Sequence, residues 1–329
     1  PRAARATLGL MLGGILLRAG GEAFIDTWPG LLGVASVGSL LEIIAVLIFA
    51  AVLIQTMRLN GKPLEAYEAY ILCALFWFVV QTVYSAVHFT LISLAPTEEA
   101  LLLQVSRWQA PLRDLQIHGF ALLMILGVSH RILDKLYHLP VPSARRSLSV
   151  LALINLAVVA EAGGFVAMRA AGHAWAALWY GGVLLLFGAV AALVWSWRLH
   201  QPMWRPDRSV KYIRAAYGWL LLSLAMLVLL PAYQFGLLRV FAPTSHAAEI
   251  GFSHAWYGAI RHAATVGFIS MMILGVAAKF VPVFTGVDGR TLTPLWAPFL
   301  LLNTGCAMRV TFQTLTDFTP HAFPLAGVS

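Results

Sequence analysis

The sequence predicts an all-α protein that crosses a membrane several times, and its composition and length support this fold class. Of its 329 residues, 60% are hydrophobic and only 11% are charged, with a mean hydropathy of +0.80. Soluble proteins carry about a quarter charged residues. Because one span with its loop takes roughly 35 to 40 residues, the chain has room for about eight or nine transmembrane helices. We expect them to form a single integral membrane domain, residues 1–329.

The predicted helices follow from windows of about 20 apolar residues, the length that a helix needs to cross the hydrocarbon core. The first window is the weakest, because it contains Arg18. In chain order the windows are residues 6–24, 31–57, 67–95, 115–137, 148–170, 174–197, 212–238, 254–284 and 293–315.

The lysines and arginines predict how these spans are oriented. They are concentrated in alternate connections, which the positive-inside rule assigns to the cytoplasm. These residues are Arg58, Lys62, Arg131, Lys135, Arg145, Arg146, Arg198, Arg205, Arg208, Lys211, Arg214, Lys279 and Arg290. The opposite connections include a predicted loop around 96–113, a turn at 171–173 and a loop at 239–253. We therefore expect a multi-pass protein of the bacterial inner membrane with these connections in the periplasm. The net charge of +8 is a topology signal, and no nucleic acid partner is expected.

A sequence pattern occurs twice, at a fixed offset of 148 residues. Gly119-Phe120 and Met124-Ile125-Leu126-Gly127-Val128 recur as Gly267-Phe268 and Met272-Ile273-Leu274-Gly275-Val276. Because three predicted helices lie between the copies, the repeating unit is four helices, about 31–170 and 174–315, related by an axis along the membrane normal. Glycines eight residues apart share a helix face, which favours close helix approach.

Histidines are the candidate metal and cofactor ligands. Cys73 and Cys306 are too few for a cysteine-based zinc or iron–sulfur site. Of ten histidines, seven are predicted towards the outer side: His88, His118, His173, His246, His254, His262 and His321. Those inside predicted helices share a depth of roughly 5 to 12 Å below the outer helix ends. They are His88, His118, His254 and His262. Neutral imidazole suits iron, copper or zinc, so these four are the predicted metal ligands.

Each of these residues also has a structural interpretation. A histidine inside a membrane helix need not be a ligand, because it can instead form hydrogen bonds between helices. His254 and His262 are separated by roughly 12 Å along one helix, so they cannot bind the same ion. Glu161 and Arg309 could form a structural ion pair, and Glu161 could belong to a proton path. Alternatively, Arg261 and Arg309 could bind the propionates of a heme at the depth of the outer histidines.

The predicted helix that contains His262 resembles a helix found in a known protein family. Residues Arg261–Val276, followed by Pro282–Gly286, resemble the His-x4-Gly helix of the NnrS family and of small proteins related to heme-copper oxidase subunit I. Thr285–Arg290 resembles the His-Thr-Gly-Arg loop that follows this helix in NnrS proteins. Gln116–Phe120 is similar to the family's other histidine-bearing helix. Here the chain departs from the pattern, because Asp114 stands five residues before Gly119 and the histidine is His118.

This resemblance implies heme b, with or without copper, held by histidines near the outer face. It also implies a role in respiratory electron transfer or nitric oxide handling, with other respiratory subunits and a cytochrome or quinone donor as partners besides membrane lipid. The chain has no adjacent His-His pair and no His-Pro-Glu-x-Tyr motif. An oxygen-reducing binuclear centre is therefore not expected, and any enzymatic activity would be that of an oxidoreductase subunit.

Two other functional classes remain open from the sequence. A cofactor-free transporter would place its polar site near the midplane on broken helices. A structural or quinone-site subunit of a larger respiratory complex would use the histidines as hydrogen-bonding groups. The sequence has no Walker loop, nucleophile elbow or His-Glu-x-x-His motif, which sets those enzyme classes aside.

Overall fold

The computed structural model describes residues 2–24, 27–28, 30–59, 61–202, 207–288 and 291–329, and every regular element within these ranges is a helix. The predicted all-α class is therefore confirmed for this part of the chain. Arg205 of the predicted basic loops, and Gly289 and Arg290 of the motif that resembles NnrS proteins, lie outside the described residues.

The α-helices are, in chain order, α1 Arg2–Phe24, α2 Leu31–Leu59, α3 Ala66–Ser93, α4 Glu98–Asp114, α5 Leu123–Tyr137, α6 Ala144–Ala171, α7 Ala176–Ser196, α8 Val210–Val228, α9 Leu230–Ala232, α10 Leu238–Phe241, α11 His246–Ile250, α12 His254–His262, α13 Met271–Thr285, α14 Trp296–Leu315 and α15 Ala322–Val328. Three π-helices join some of them: π1 Leu115–Leu122, π2 Tyr233–Leu237 and π3 Ala263–Ser270. A 3₁₀-helix, His173–Trp175, precedes α7.

Seven helical segments of the described chain are long and apolar enough to cross a membrane. They are Leu31–Leu59, Ala66–Ser93, Glu98–Tyr137, Ala144–Ala171, His173–Ser196, Val210–Val228 and His254–Thr285. The fold is thus that of a multi-pass helical membrane protein. The first and last predicted spans form α1 and α14 but are not among the seven. Charged and polar side chains lower the hydropathy of both helices, for example Arg18 and Glu22 in α1 and Arg309 and Gln313 in α14.

Two predicted boundaries differ from the structure. The loop expected at 96–113 is wrong, because α4 fills it and continues through π1 into α5. Thr97 caps this helix by accepting a hydrogen bond from the Ala100 amide at 3.2 Å, which stabilises a helix start that hydropathy does not detect. The helix expected over 212–238 is interrupted at Leu229, shortly before Pro231, which has no amide proton to donate. It resumes as α9, π2 and α10 and continues to Phe241.

The chain divides into two compact units. The first unit comprises Pro1–Arg131 and Ala144–Gly182, and the second comprises Ile132–Ser143 and Val183–Ser329. In the first unit, the helix containing π1 packs against α3 and α6; in the second, the helix containing π3 packs against α8 and α14.

A tryptophan covers a glycine at corresponding places in the two units. A Cβ atom added to Gly119 would lie 3.0 Å from the Trp77 ring, and one added to Gly267 would lie 2.5 Å from the Trp219 ring. Only glycine leaves room for these indoles. The shared glycine face predicted from the sequence therefore is a surface of close helix approach.

Both indoles also bind a further helix, which is α6 in the first unit and α14 in the second. Trp77 Nε1 donates to Asn155 Oδ1 at 2.8 Å, and Trp219 Nε1 donates to Asn303 Oδ1 at 2.9 Å. A buried indole N–H needs such a partner, since leaving it unpaired costs free energy. One tryptophan in each unit thus holds three helices in register: the helix that carries it, the π-containing helix, and α6 or α14.

Two tyrosine hydroxyls repeat the correspondence. Tyr70 donates to the Ser147 carbonyl and Tyr212 donates to the Leu295 carbonyl, each at 2.9 Å. Tyr212 follows Tyr70 by 142 residues, whereas Leu295 follows Ser147 by 148. The offset therefore differs by helix: it is 142 residues between α3 and α8, and 148 residues between the other corresponding helices.

An ion pair stands at the same end of both units. Arg131 lies 3.6 Å from Glu65, and Lys279 donates a hydrogen bond to Asp207. Burial favours the neutral form of Asp207, but hydrogen bonds from Lys279 and Ser209 outweigh it and hold the pKa of Asp207 below its usual value.

Candidate metal centre

The candidate site lies where α4 passes into π1. Asp114 is the last residue of α4, and His118 follows in π1 one helical turn later. A π-helix adds a residue to the hydrogen-bonded turn and is frequent at functional sites. The third member, Glu161, lies on α6, which packs against both elements.

The three side chains form a buried group. His118 Nδ1 lies 2.9 Å from Glu161 Oε2, and one ligand-type atom from each of Asp114, His118 and Glu161 falls within 4.8 Å of the others. Asp114 and His118 are each 5% exposed and Glu161 is 1% exposed. Two carboxyl groups and an imidazole at this burial need protons or a bound cation to neutralise them.

One carboxylate oxygen in this group has no hydrogen-bond partner. Glu161 Oε1 is buried without a donor, while the other oxygen, Oε2, contacts His118. An unpaired buried acceptor is costly, and it is satisfied when a proton or a metal ion binds it. This oxygen is therefore the strongest single indication that the group binds a proton or a metal ion.

Of the predicted histidine ligands in the first unit, His118 belongs to this group and His88 does not. His88 lies on α3, is buried, and has an Nδ1 atom without a partner. It remains a predicted ligand.

The other four predicted residues lie in the second unit. His254 is exposed at the start of α12, where its ring meets the edge of Phe252 at a centroid distance of 4.9 Å. His262 and Arg309 are brought together, with Arg309 Nε 3.3 Å from His262 Nε2. Arg261 covers the Tyr257 ring at 4.5 Å, and its Nε and Nη2 atoms are buried without partners.

The ion pair considered between Glu161 and Arg309 stays a prediction, and the structure gives each residue a contact of its own. Glu161 contacts His118 on π1, and Arg309 contacts His262 and the carbonyl of Ala326. Each residue finds its partner inside its own unit.

Sequence reasoning missed Asp114 as part of the site and did not connect Glu161 with His118. The repeat offset contained the signal. His262 follows Asp114 by 148 residues, and Arg309 follows Glu161 by the same number. The two positions thus carry ionisable side chains in both copies, which is improbable for lipid-facing sites.

The residues fit a metal ion better than a porphyrin. One imidazole and two carboxylates are ligands that suit iron, manganese or zinc. The glycine faces of π1 and π3 are filled by Trp77 and Trp219, so neither is a cradle for a heme ring. His262 Nε2 accepts from Arg309, and an iron ion bound at that atom would displace this contact.

Comparison of the chain with protein families, curated proteins and solved structures gave no match. The fold and the site define a class: a multi-pass helical membrane protein with a buried group of two carboxylates and an imidazole that could hold a metal ion.

Proposed function

We propose that the protein is a metal-binding redox protein of the bacterial cytoplasmic membrane, with Asp114, His118 and Glu161 as the ligands. The observation that supports this most directly is the convergence of three buried ligand-type side chains with one unpaired carboxylate oxygen. The redox role comes from the resemblance to proteins of respiratory electron transfer and nitric oxide handling. A bound iron or manganese ion would supply one-electron chemistry.

Each ligand has a separate task in this proposal. Glu161 Oε1 is the open coordinating atom, while the hydrogen bond between Glu161 and His118 fixes the orientation of both side chains. Asp114 supplies the second negative charge that a divalent ion needs. The buried surroundings keep water from competing for the ion.

Metal analysis of the purified protein tests the proposal. We expect stoichiometric metal in the wild type and its loss in Glu161→Gln, which keeps the shape of the side chain but removes the charge. Glu42→Gln is the matched control, because Glu42 is a carboxylate on α2 that pairs with Arg18 and lies outside the group. A folded wild type without metal, or a Glu161→Gln variant that retains it, would contradict the proposal.

Heme b is a second candidate, and the guanidinium of Arg261 favours it, although it also lies over the Tyr257 ring. Two buried guanidinium nitrogens of Arg261 have no acceptor, and a propionate is an anion that would satisfy them. In the second unit, His262 and His254 are the candidate axial or copper ligands and Arg309 is the second propionate partner. In the first unit, His88 and His118 are the candidate ligands. A reduced-minus-oxidised optical spectrum with a pyridine hemochrome assay tests it, and the His262→Ala spectrum should lose the heme signal.

The orientation belongs to the proposal as well. The basic connections place the predicted histidine-rich side in the periplasm. Single cysteines placed at His173 or at Arg146 in a cysteine-free background test the orientation. Only the cysteine at position 173 should react with a membrane-impermeant thiol reagent added from outside.

A colourless, metal-free and folded protein would favour a transporter or a subunit that anchors a larger complex.

A further inference from the structure

A polar cleft of about 330 Å³ opens in the first unit between α1, α2, α3 and the start of π1. Two arginines and two glutamates line it: Arg18, Arg113, Glu22 and Glu42. Their charges balance, so the cleft offers no net charge to a ligand. A volume near the lower end of the usual range for small-molecule sites suits one ring-sized group.

Amide side chains on one wall of the cleft are held in a fixed orientation. Arg113 Nη1 donates to Gln116 Oε1 at 2.9 Å, and Gln116 Nε2 donates to Gln81 Oε1 at 3.1 Å. Gln81 Nε2 in turn donates to Thr82 Oγ1 at 2.9 Å. A connected set of this kind presents neutral hydrogen-bonding groups at defined positions inside an apolar bundle.

Arg18 of α1 is held in place by three hydrogen-bond partners. Arg18 donates to Glu22 at 2.8 Å, to Glu42 at 3.4 Å and to Ser85 at 3.0 Å. It is thereby neutralised and preorganised, since its side chain loses little further freedom when a ligand accepts a hydrogen bond from it.

The remaining lining is apolar and partly aromatic. The Phe78 ring is stacked on Phe120 with centroids 4.1 Å apart and planes 10° apart, which fixes its orientation at the cleft. Met11 and Ile15 of α1 complete this side, and Ile15 is 47% exposed. The cleft thus combines an aromatic side chain of fixed orientation and apolar side chains with amide groups that are held in place.

We infer that this cleft binds the headgroup of a membrane quinone. A quinone ring is flat and neutral, carries two carbonyl acceptors, and has an apolar tail that can remain in the bilayer. An anionic phospholipid headgroup carries a net negative charge, for which a charge-balanced cleft has no surplus cation. The inference rests on the proposed function, because it names the electron carrier of the same protein: Gln116 stands two residues from both Asp114 and His118.

Blocking the cleft from its exposed side tests the inference without disturbing the buried polar network. Ile15→Trp places an indole at the cleft, whereas Leu16→Trp places the same group on the next residue, which is 72% exposed and does not line it. The probe is a short-chain ubiquinone with one isoprene unit, and binding to the protein in nanodiscs is measured by equilibrium dialysis. We expect Ile15→Trp to raise the dissociation constant at least tenfold and Leu16→Trp to leave it unchanged.

Each other outcome overturns the inference. A wild type that binds no quinone excludes the site, and equal binding by all three proteins places the quinone elsewhere. A phospholipid retained by the wild type and lost from Ile15→Trp in native mass spectrometry assigns the cleft to lipid. Glu161→Gln separates this inference from the proposed function, because it should lose metal and still bind the quinone.

Discussion

The Nε atom of Arg309 lies 3.3 Å from the Nε2 atom of His262, and these residues correspond, at the offset of 148, to Glu161 and Asp114. A guanidinium only donates hydrogen bonds, so His262 Nε2 is the acceptor. The second unit therefore has a fixed cation at the position where the first unit has a carboxylate. A bound metal ion in the first unit would supply the positive charge that Arg309 supplies in the second.

This correspondence predicts that a second metal site can be built. Val266 follows His118 by 148 residues, so Val266→His with Arg309→Glu gives the second unit two histidines and a carboxylate at corresponding positions. We expect the double variant to bind a second equivalent of metal, measured by elemental analysis of the folded protein. Val266→His alone retains the guanidinium and should gain none. A folded double variant with unchanged metal content would show that the two positions are not equivalent.

The close approach of tryptophan and glycine predicts two costly substitutions. Gly267→Ala and Gly119→Ala should each lower the free energy of unfolding by about 1–3 kcal/mol, because the added methyl group meets an indole. Gly267→Ala should cost more, since its Cβ would lie 2.5 Å from the ring against 3.0 Å for Gly119→Ala. Unfolding in mixed micelles measures the difference. Gly163→Ala on α6 is the control, because nothing lies within 4 Å of an added Cβ there.

The hydrogen bond from Trp77 to Asn155 predicts a measurable coupling between α3 and α6. In a double-mutant cycle with Trp77→Phe and Asn155→Ala, we expect a coupling energy of about 0.6 kcal/mol, and no more than about 1.7 kcal/mol, the mean and the maximum for interhelical hydrogen bonds measured in a membrane protein. The parallel cycle with Trp219→Phe and Asn303→Ala should give a similar value, since the two distances are 2.8 and 2.9 Å. Additive effects in both cycles would mean that the asparagines contribute nothing to helix register.

The helical class could be predicted from the sequence because a bilayer leaves backbone groups without water, so a mostly apolar chain must pair them within helices. The spans at the two ends were less predictable, since α1 and α14 combine apolar runs with charged and polar side chains. The low hydropathy of the polar segment before Asp114 also led to the wrong prediction of a loop there. Its helix begins at a side-chain cap on Thr97, which an average over a window does not register.

The site was only partly predictable, for a geometric reason. The sequence indicated His118 as a ligand and Glu161 as a polar residue within a helix. Their contact depends on how α6 is rotated against π1, and no periodicity in either helix fixes that rotation. The π-helix adds to the difficulty, because its wider turn shifts the phase of every residue before Leu122 relative to those after it. A strict 3.6-residue period therefore misplaces Asp114.

The partly buried ion pair between Lys279 and Asp207 in the second unit predicts a dependence of stability on pH. The folded-state pKa of Asp207 lies below its usual 3.8, because hydrogen bonds from Lys279 and Ser209 outweigh the effect of burial. For a carboxyl whose pKa is lowered by folding, the stabilisation is present above the unfolded-state pKa and is lost as the pH falls through the folded-state value. The melting temperature in a non-ionic detergent should therefore fall on acidification, and Asp207→Asn should flatten that part of the profile.

Glu65 provides the matched control for this prediction. It pairs with Arg131 at 3.6 Å, and the side chains of Arg131 and Glu65 are 47% and 54% exposed, whereas those of Lys279 and Asp207 are 23% and 14% exposed. Solvent screens the exposed pair, so it contributes little to stability. Glu65→Gln should leave the acid limb of the melting curve as steep as in the wild type. If Glu65→Gln flattens the limb as much as Asp207→Asn does, the acid sensitivity does not arise from the pair between Lys279 and Asp207.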